Sequence, residues 1–187
     1  MSDRKEQIIE ACLAVMAREG VAGTTHRRVA AEAGVPLGST TYHFASLNDL
    51  LHCAFDRFAR RSGARLETAL LRATDRSSAV EAITDVILAG AQDRDGELVL
   101  TQELYTIAAR RPEFRDITTA WMHRSRTALE RHFPPDLACT VDALIEGLTL
   151  HGALESTDSS TPSRARTKNA LLHVISAQPC EGTGKNG

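Results

Sequence analysis

Apolar side chains recur along this chain at the three- to four-residue spacing of an amphipathic helix, and no stretch shows the alternation typical of a strand. The first predicted helix runs from about Arg4 to Glu19, where Ile8, Cys12 and Met16 share one side. The same periodicity predicts later helices at 46–71, 77–92, 98–108, 112–132, 136–154 and 164–177. Two short helices precede these, so the pattern predicts an all-α protein of about nine helices.

The two short helices lie within Thr24–Leu51 and are joined by a tight turn. Thr25 is a natural N-cap for the first of them, because its hydroxyl can accept from a free backbone N–H. Gly34 stands where a helix end needs positive φ, and Pro36 is tolerated where the next helix begins. The second helix carries hydrogen-bonding side chains and none that is acidic: Ser39, Thr40, Thr41, Tyr42 and His43. This is a helix-turn-helix with a polar second helix, which favours the major groove of DNA.

Bulk properties limit the classes of function. The chain has 187 residues, 42% of them hydrophobic, which is enough for a real core. Its net charge of −2 argues against a generic polyanion binder but not against a sequence-specific one, since only the local face must be positive. We find no secretion signal and expect no transmembrane span, because no apolar run approaches 18 residues. The four cysteines are scattered without a CxxC pair, which fits a reduced, cytoplasmic protein.

Catalytic and metal-binding motifs are missing from the sequence. The seven histidines form neither an H-x₃-H pair nor a Cys/His cluster with zinc spacing. There is no Gly-rich phosphate loop and no G-x-S-x-G turn. We therefore expect no metal site, no cofactor and no enzymatic activity.

The motif T-x-R-x-V-A-x-x-A-G-V at Thr25–Val35 is followed by G-S-x-x-x-H-F at Gly38–Phe44 and a Leu-Leu pair at 50–51. In this order and spacing the chain resembles the TetR family of bacterial one-component repressors, strongly over residues 4–55 and more weakly beyond. The resemblance implies a homodimer whose two heads bind a palindromic operator in double-stranded DNA. It also implies a helical C-terminal domain that dimerises and binds a small-molecule effector, which releases the DNA.

The expected DNA contacts come partly from this resemblance and partly from residue chemistry. The resemblance places contacts at Thr25, Arg27, Ser39, Thr40 and His43. Residue chemistry adds Arg28 beside the motif, Gly38, which permits close backbone approach, and Tyr42, which suits a phosphate contact. The full set of candidate DNA contacts is Thr25, Arg27, Arg28, Gly38, Ser39, Thr40, Tyr42 and His43. The sequence departs from the family pattern at two positions. The family usually has Tyr at the position of Thr41, whereas here the tyrosine comes one residue later, and it usually has Lys at the position of Leu47. We expect Thr41 to pack inward.

The remaining candidates concern the effector and the dimer. Trp121 is the only tryptophan, and with its neighbours it either lines an effector pocket or forms ordinary core at helical spacing. The candidate pocket residues are Phe58, Glu103, Leu104, Tyr105, Trp121, Met122, Leu148 and His151. Residues 136–154 carry more leucine than one helix face can bury, so we expect them to form a four-helix bundle with 164–177 and the symmetry mates. The candidate dimer residues are Val141, Leu144, Ile145, Leu148, Gly152, Leu171 and Ile175.

These observations predict a helix-turn-helix DNA-binding domain at 1–46 and a regulatory, dimerising domain at 47–177. The polar stretch 155–163 is expected to be a flexible linker, and the tail 178–187 to be disordered. The function they indicate is a ligand-responsive repressor. The alternative is a helical small-molecule-binding or protein-interaction dimer that does not read DNA.

Overall fold

The structure is a computed structural model, and it describes residues 2–92, 96–155 and 164–177. Over those residues it contains nine α-helices and no strand, which confirms the all-α prediction. The helices are α1 (Ser2–Gly23), α2 (His26–Glu32), α3 (Leu37–His43), α4 (Leu47–Arg72), α5 (Arg76–Ala91), α6 (Glu97–Arg110), α7 (Arg115–Leu129), α8 (Pro135–Leu154) and α9 (Arg164–Ser176). A short 3₁₀ turn, Pro112–Phe114, precedes α7. Most of the predicted linker (156–163) and the whole predicted tail (178–187) lie outside the described residues.

Several helix ends follow the predicted local chemistry. The Thr25 hydroxyl accepts from the Arg28 amide at 3.2 Å, and Ser46 caps α4 by accepting from the Asp49 amide at 3.1 Å. Gly34 adopts a φ of 63° at the end of α2. Gly20 interrupts the regular geometry of α1 with a φ of 68° and a ψ of 176°, at the point where the sequence predicted that helix to end. Side-chain caps therefore mark where α2 and α4 begin, and Gly34 marks where α2 ends.

The chain forms two compact units, and α4 and α7 contribute residues to each. Unit 1 comprises residues 1–65 and 93–124, and it contains α1, α2, α3 and α6. Its core is built around four fully buried phenylalanines, Phe44, Phe55, Phe58 and Phe114. Helix α6 packs so closely on α1 that a Cβ at Gly96 would lie 2.7 Å from the Cβ of Ala17. The helix-turn-helix thus shares its core with α6, whereas the sequence placed α6 in the other domain; the limits of the functional domains stay a prediction.

Unit 2 comprises residues 66–92 and 125–187, with α5 packed on α8 and α9. Asp142 is buried there and accepts hydrogen bonds from the Ser125 hydroxyl and from Nε of Arg126, the latter at 3.2 Å. Helix α8 has a mean hydropathy of 1.3 and is long and apolar enough to cross a membrane by length and composition alone. By this measure the stretch is longer and more apolar than the sequence analysis allowed, and the expectation of no transmembrane span stays a prediction. Only 28% of this stretch is buried, so much of its apolar surface is left uncovered by unit 2.

Candidate nucleic-acid interface

Helix α3 turns a polar face away from the core of unit 1. Tyr42 is 74% exposed and Gly38 is exposed, while Ser39 and His43 are half-buried on the flank of the same face. A Cβ at Gly38 would meet no atom within 4 Å, so no intramolecular contact requires a glycine there. Its missing side chain leaves the outer surface of α3 open to the backbone of another molecule.

The two central threonines of α3 are placed opposite to the sequence prediction. Thr40 is fully buried, and its hydroxyl donates to the Leu37 carbonyl oxygen at 2.8 Å. Thr41 is exposed, and its hydroxyl donates to the Gly38 carbonyl oxygen at 3.3 Å. The prediction of a DNA contact at Thr40, and of an inward position for Thr41, is therefore wrong. The physical reason is that Thr40 lies one helical turn before the buried Phe44 and shares its inward direction.

A concavity of about 780 Å³ opens between the outer face of α3 and the start of α1. Its lining consists of Arg4, Gln7, Pro36, Gly38, Ser39, Tyr42 and His43. The Gln7 amide also donates to the Ala33 carbonyl oxygen at 2.8 Å, which fixes α1 against the end of α2. Sequence reasoning missed Arg4 and Gln7, because only the packing of α1 brings them beside α3. Their spacing of one turn on the polar side of α1 was the one available signal.

The cations of the head differ in how they are engaged. Arg28 pairs with Glu19 at 2.5 Å and donates to the Gly23 carbonyl oxygen at 2.6 Å. Arg18 pairs with Glu32 at 2.7 Å, and this hydrogen bond lowers the pKa of the Glu32 carboxyl from its ordinary value. Arg27 is exposed, and its side chain makes no hydrogen bond or ion pair with any residue that the structure describes.

The engaged arginines leave Arg27, Arg4 and Lys5 as cations of the head without a carboxylate partner among the described residues. Lys5 lies over the Phe44 ring, with its Nζ 5.5 Å from the ring centroid. Thr25 is exposed at the start of α2, although its hydroxyl already serves as the N-cap. The positive charge available to an anion is therefore small and local.

Three of the candidate effector residues form an aromatic group in unit 1. The rings of Tyr105 and Trp121 are parallel to within 9°, with centroids 6.4 Å apart. Phe58 meets Trp121 edge-on at 5.7 Å. Phe58 is buried, whereas Tyr105 and Trp121 are half-buried and keep some accessible surface. A Cβ at Gly63 would lie 3.5 Å from Cδ1 of the Trp121 indole.

The other effector candidates are dispersed. Leu104 is fully buried in the core of unit 1, and Met122 is half-buried. The Glu103 carboxylate lies against Gly20, where an added Cβ would come within 2.6 Å of its Oε1. Leu148 and His151 belong to unit 2, where Leu148 packs against the core and His151 is exposed. A pocket that uses all eight residues stays a prediction.

The candidate dimer residues divide into two groups. Val141, Leu171 and Ile175 are buried inside unit 2, so a partner cannot cover them, and the prediction is wrong for these three. Leu144, Ile145 and Leu148 pack against the same core but keep part of their surface, and Gly152 is half-buried. The outward side of α8 carries a different row, Ala143, Gly147, Leu150 and Leu154, of which Leu154 is 68% exposed.

Among the described residues, no group of three or more His, Cys, Asp or Glu side chains is placed to hold a metal ion.

Comparison with known proteins identifies the family. Residues 8–53 match the family model described as "Bacterial regulatory proteins, tetR family". Residues 74–177, more than half of the chain, match the model "Tetracyclin repressor-like, C-terminal domain". The chain belongs to the TetR family. It is therefore a transcriptional regulator with an N-terminal DNA-binding domain and a C-terminal ligand-binding domain.

Several TetR-family relatives share nearly the whole length. SCO7518 from Streptomyces coelicolor A3(2) is 48% identical, with 92% of this chain and 98% of that chain covered and a TM-score of 0.84. The multidrug binding protein EbrR, in its complex with ethidium, is 32% identical over 92% of this chain and 98% of its own, with a TM-score of 0.74. The HTH-type transcriptional regulator BetI of Paraburkholderia xenovorans (strain LB400) is 25% identical over 93% of this chain and 94% of its own length.

Within this TetR-family regulator, the matched DNA-binding region contains both helices of the helix-turn-helix and five of the seven residues that line the concavity beside α3. Arg4 lies four residues before that region and still lines the concavity. The candidate interface is therefore the outer face of α3 together with the start of α1 and the exposed Arg27.

Proposed function

We propose that this chain is a homodimeric repressor that binds a palindromic operator and is released from it by a planar aromatic ligand. The observation that carries the proposal is the outer face of α3, where an exposed tyrosine, a half-buried serine and a half-buried histidine surround an open concavity. The second helix of such a motif enters the major groove, and residues at its N-terminal end contact base edges. Operator DNA lies in the bacterial cytoplasm, which is where we place the protein.

The DNA-binding part of the proposal is tested with the full chain and the region upstream of its own gene. We expect specific binding to be about 10³-fold or more tighter than binding to an unrelated duplex of the same length. Tyr42→Ala removes the most exposed ring of α3 and is expected to weaken operator binding without lowering the melting temperature. Equal affinity for the operator region and the unrelated duplex, at several salt concentrations, would contradict operator recognition.

The dimer is proposed to form through the outward row of α8, Ala143, Gly147, Leu150 and Leu154. A Cβ at Gly147 would meet nothing within 4 Å, so the backbone of α8 is open to close approach by a second helix. Leu172 of α9 is 38% exposed and adds apolar surface to the same unit. A symmetric dimer presents this patch to itself, which gives each head a partner at a fixed spacing on the duplex.

Substituting Leu150 by Glu places a charge in the middle of this row and is expected to give monomers in sedimentation. The matched control is Leu71→Glu, because Leu71 is 52% exposed on α4 and lies outside the proposed row. The monomeric variant should also lose most of its operator affinity, since a single head has few cations. A dimer that survives Leu150→Glu would show that another surface pairs the chains.

The effector is proposed to be a planar aromatic molecule that stacks on Trp121 and Tyr105. The two rings are parallel and keep accessible surface, which suits an offset stack with a flat ligand. The EbrR structures at 31–32% identity contain proflavin, malachite green or ethidium, each of which carries several aromatic rings. This relationship supports the same ligand class here.

Trp121 is the only tryptophan, so its fluorescence reports ligand binding without a label. Titration with malachite green in the absence of DNA should quench it to saturation, whereas free N-acetyltryptophanamide should show only absorption losses. Calorimetry should show weaker binding by Tyr105→Ala and unchanged binding by Tyr42→Ala, the only other tyrosine. If both tyrosine variants bind the dye as the parent does, the ligand is not stacked at this site.

A further inference from the structure

The exposed surface of α3 has two flanks of different chemistry. One flank carries Ser39 and His43 and faces the concavity that Arg4 also lines. The other carries Leu37 and Thr41, one helical turn apart, and neither lines the concavity. Leu37 is 51% exposed at the first position of α3. The second flank is thus an apolar surface at the N-terminal end of α3, the helix that we propose contacts base edges.

The side chains of this flank offer few hydrogen bonds. Leucine has no polar side-chain atom, and the hydroxyl proton of Thr41 is engaged with the Gly38 carbonyl oxygen at 3.3 Å. Among the four bases, only thymine presents an apolar group in the major groove, its C5-methyl. A leucine at the base-reading end of the helix therefore matches one base better than the other three.

The charge of the head favours such a contact as a source of sequence specificity. Two of its arginines are paired with glutamates, so few cations remain to hold DNA. Phosphate contacts also carry no sequence information by themselves. We infer that Leu37, with Thr41 beside it, reads the C5-methyl group of a thymine in each half-site. This inference rests on the proposed operator binding and extends it to one base.

The test begins with an operator selected by the full chain from a pool of random duplexes. Each thymine of one half-site is then replaced in turn by deoxyuridine, which removes only the C5-methyl group. At one position we expect about a fourfold loss of affinity, equivalent to about 0.8 kcal/mol for one buried methyl group. The loss should be the same at low and high salt, because no ion is released from the contact.

The protein side of the test uses Leu37→Ala and the polar variant Leu37→Asn, which keeps the length of the side chain. Both should bind the thymine and deoxyuridine operators with equal affinity at that position. The control Leu71→Ala, at an equally exposed leucine of α4, should keep the fourfold difference. Melting curves of the variants should match that of the parent protein, because Leu37 is not part of the core.

The outcomes separate the inference from the function on which it rests. If no operator is selected at any salt concentration, operator binding itself fails, and the inference fails with it. If an operator is selected but no thymine-to-uracil change matters, or if both Leu37 variants keep the full difference, only the thymine contact is overturned.

Discussion

Adjacent arginines of α2 are expected to contribute differently to DNA affinity. Arg27 is exposed and unpaired among the described residues, whereas Arg28 is held by Glu19 and by the Gly23 carbonyl oxygen. A protein releases roughly 0.9 counterions for each DNA phosphate that it neutralises. If Arg27 of each head meets one phosphate, Arg27→Ala should reduce the slope of log affinity against log salt by about 1.8.

This slope converts into a measurable difference. Between 50 and 200 mM salt, the parent dimer should lose about 12-fold more affinity than the Arg27→Ala dimer. Arg28→Ala should keep the parent slope, because its charge is already directed toward Glu19. The exposed Arg72 of α4 provides an Arg→Ala control outside the head.

Fluorescence anisotropy with a labelled operator at four or five salt concentrations gives all the slopes. Circular dichroism melting should show that the Arg27 variant is as stable as its parent. An unchanged slope for Arg27→Ala, or an equal change for both arginine variants, would refute the assignment of the contact from ion pairing.

Three further predictions concern stability and reactivity. Gly34→Ala and Gly96→Ala both place a side chain at positive φ, but only at Gly96 does the new Cβ meet a neighbour. Chemical denaturation should therefore show that the free energy of unfolding falls by about 1 kcal/mol for Gly34→Ala and by about 2 to 4 kcal/mol for Gly96→Ala. Equal losses would contradict the close packing of α6 on α1. Burial raises the pKa of Cys12 to about 12, so at pH 8 mass spectrometry should find the exposed Cys139 alkylated well before Cys12. The hydrogen bond from the Ser78 amide lowers the pKa of Asp75, so the contribution of this carboxylate to stability is present above the ordinary carboxyl pKa and is lost as the pH falls below about 4. Asp75→Asn can cap the helix but does not titrate, so its stability should not show this loss. Parallel acid-unfolding curves of the two proteins would contradict the prediction.

Local chemistry was sufficient to predict the helix-turn-helix and its turn. Hydroxyls at Thr25 and Ser46 cap helices, and Gly34 takes the positive φ that its place in the turn requires. The helical phase of α3 was harder, because adjacent threonines have identical chemistry. The signal that could have settled the phase is Phe44, an apolar residue at the end of α3. The residue one helical turn before it is Thr40, which therefore faces inward.

The face of α8 could not be predicted from its hydrophobic pattern. Leucines lie on both the inward and the outward side of α8. The hydrophobic periodicity therefore predicts the helix but does not indicate which of its sides faces the core. The structure resolves this, since Val141 points into the core while Leu150 and Leu154 do not. Small residues at 143 and 147 were the informative signal, because a row of small side chains permits close helix approach.

The association of α6 with the head was also invisible in the sequence, because it depends on packing between segments about 80 residues apart. It has a consequence for regulation, since Tyr105 and Trp121 lie in the same compact unit as α1, α2 and α3. Glu103 stands two residues before Tyr105 on α6 and lies against Gly20, where α1 changes direction before the helix-turn-helix. A ligand that displaces Tyr105 should therefore move Glu103, because a helix transmits displacement along its length.

This coupling can be measured without DNA by hydrogen–deuterium exchange of residues 20–25. Malachite green should change exchange in that segment of the parent protein, and Glu103→Ala should abolish the change while still binding the dye. Gln102→Ala, at an exposed neighbour on α6, is the matched control and should respond as the parent does. A full response in Glu103→Ala would mean that ligand binding reaches the head by a path that does not involve the contact between Glu103 and Gly20.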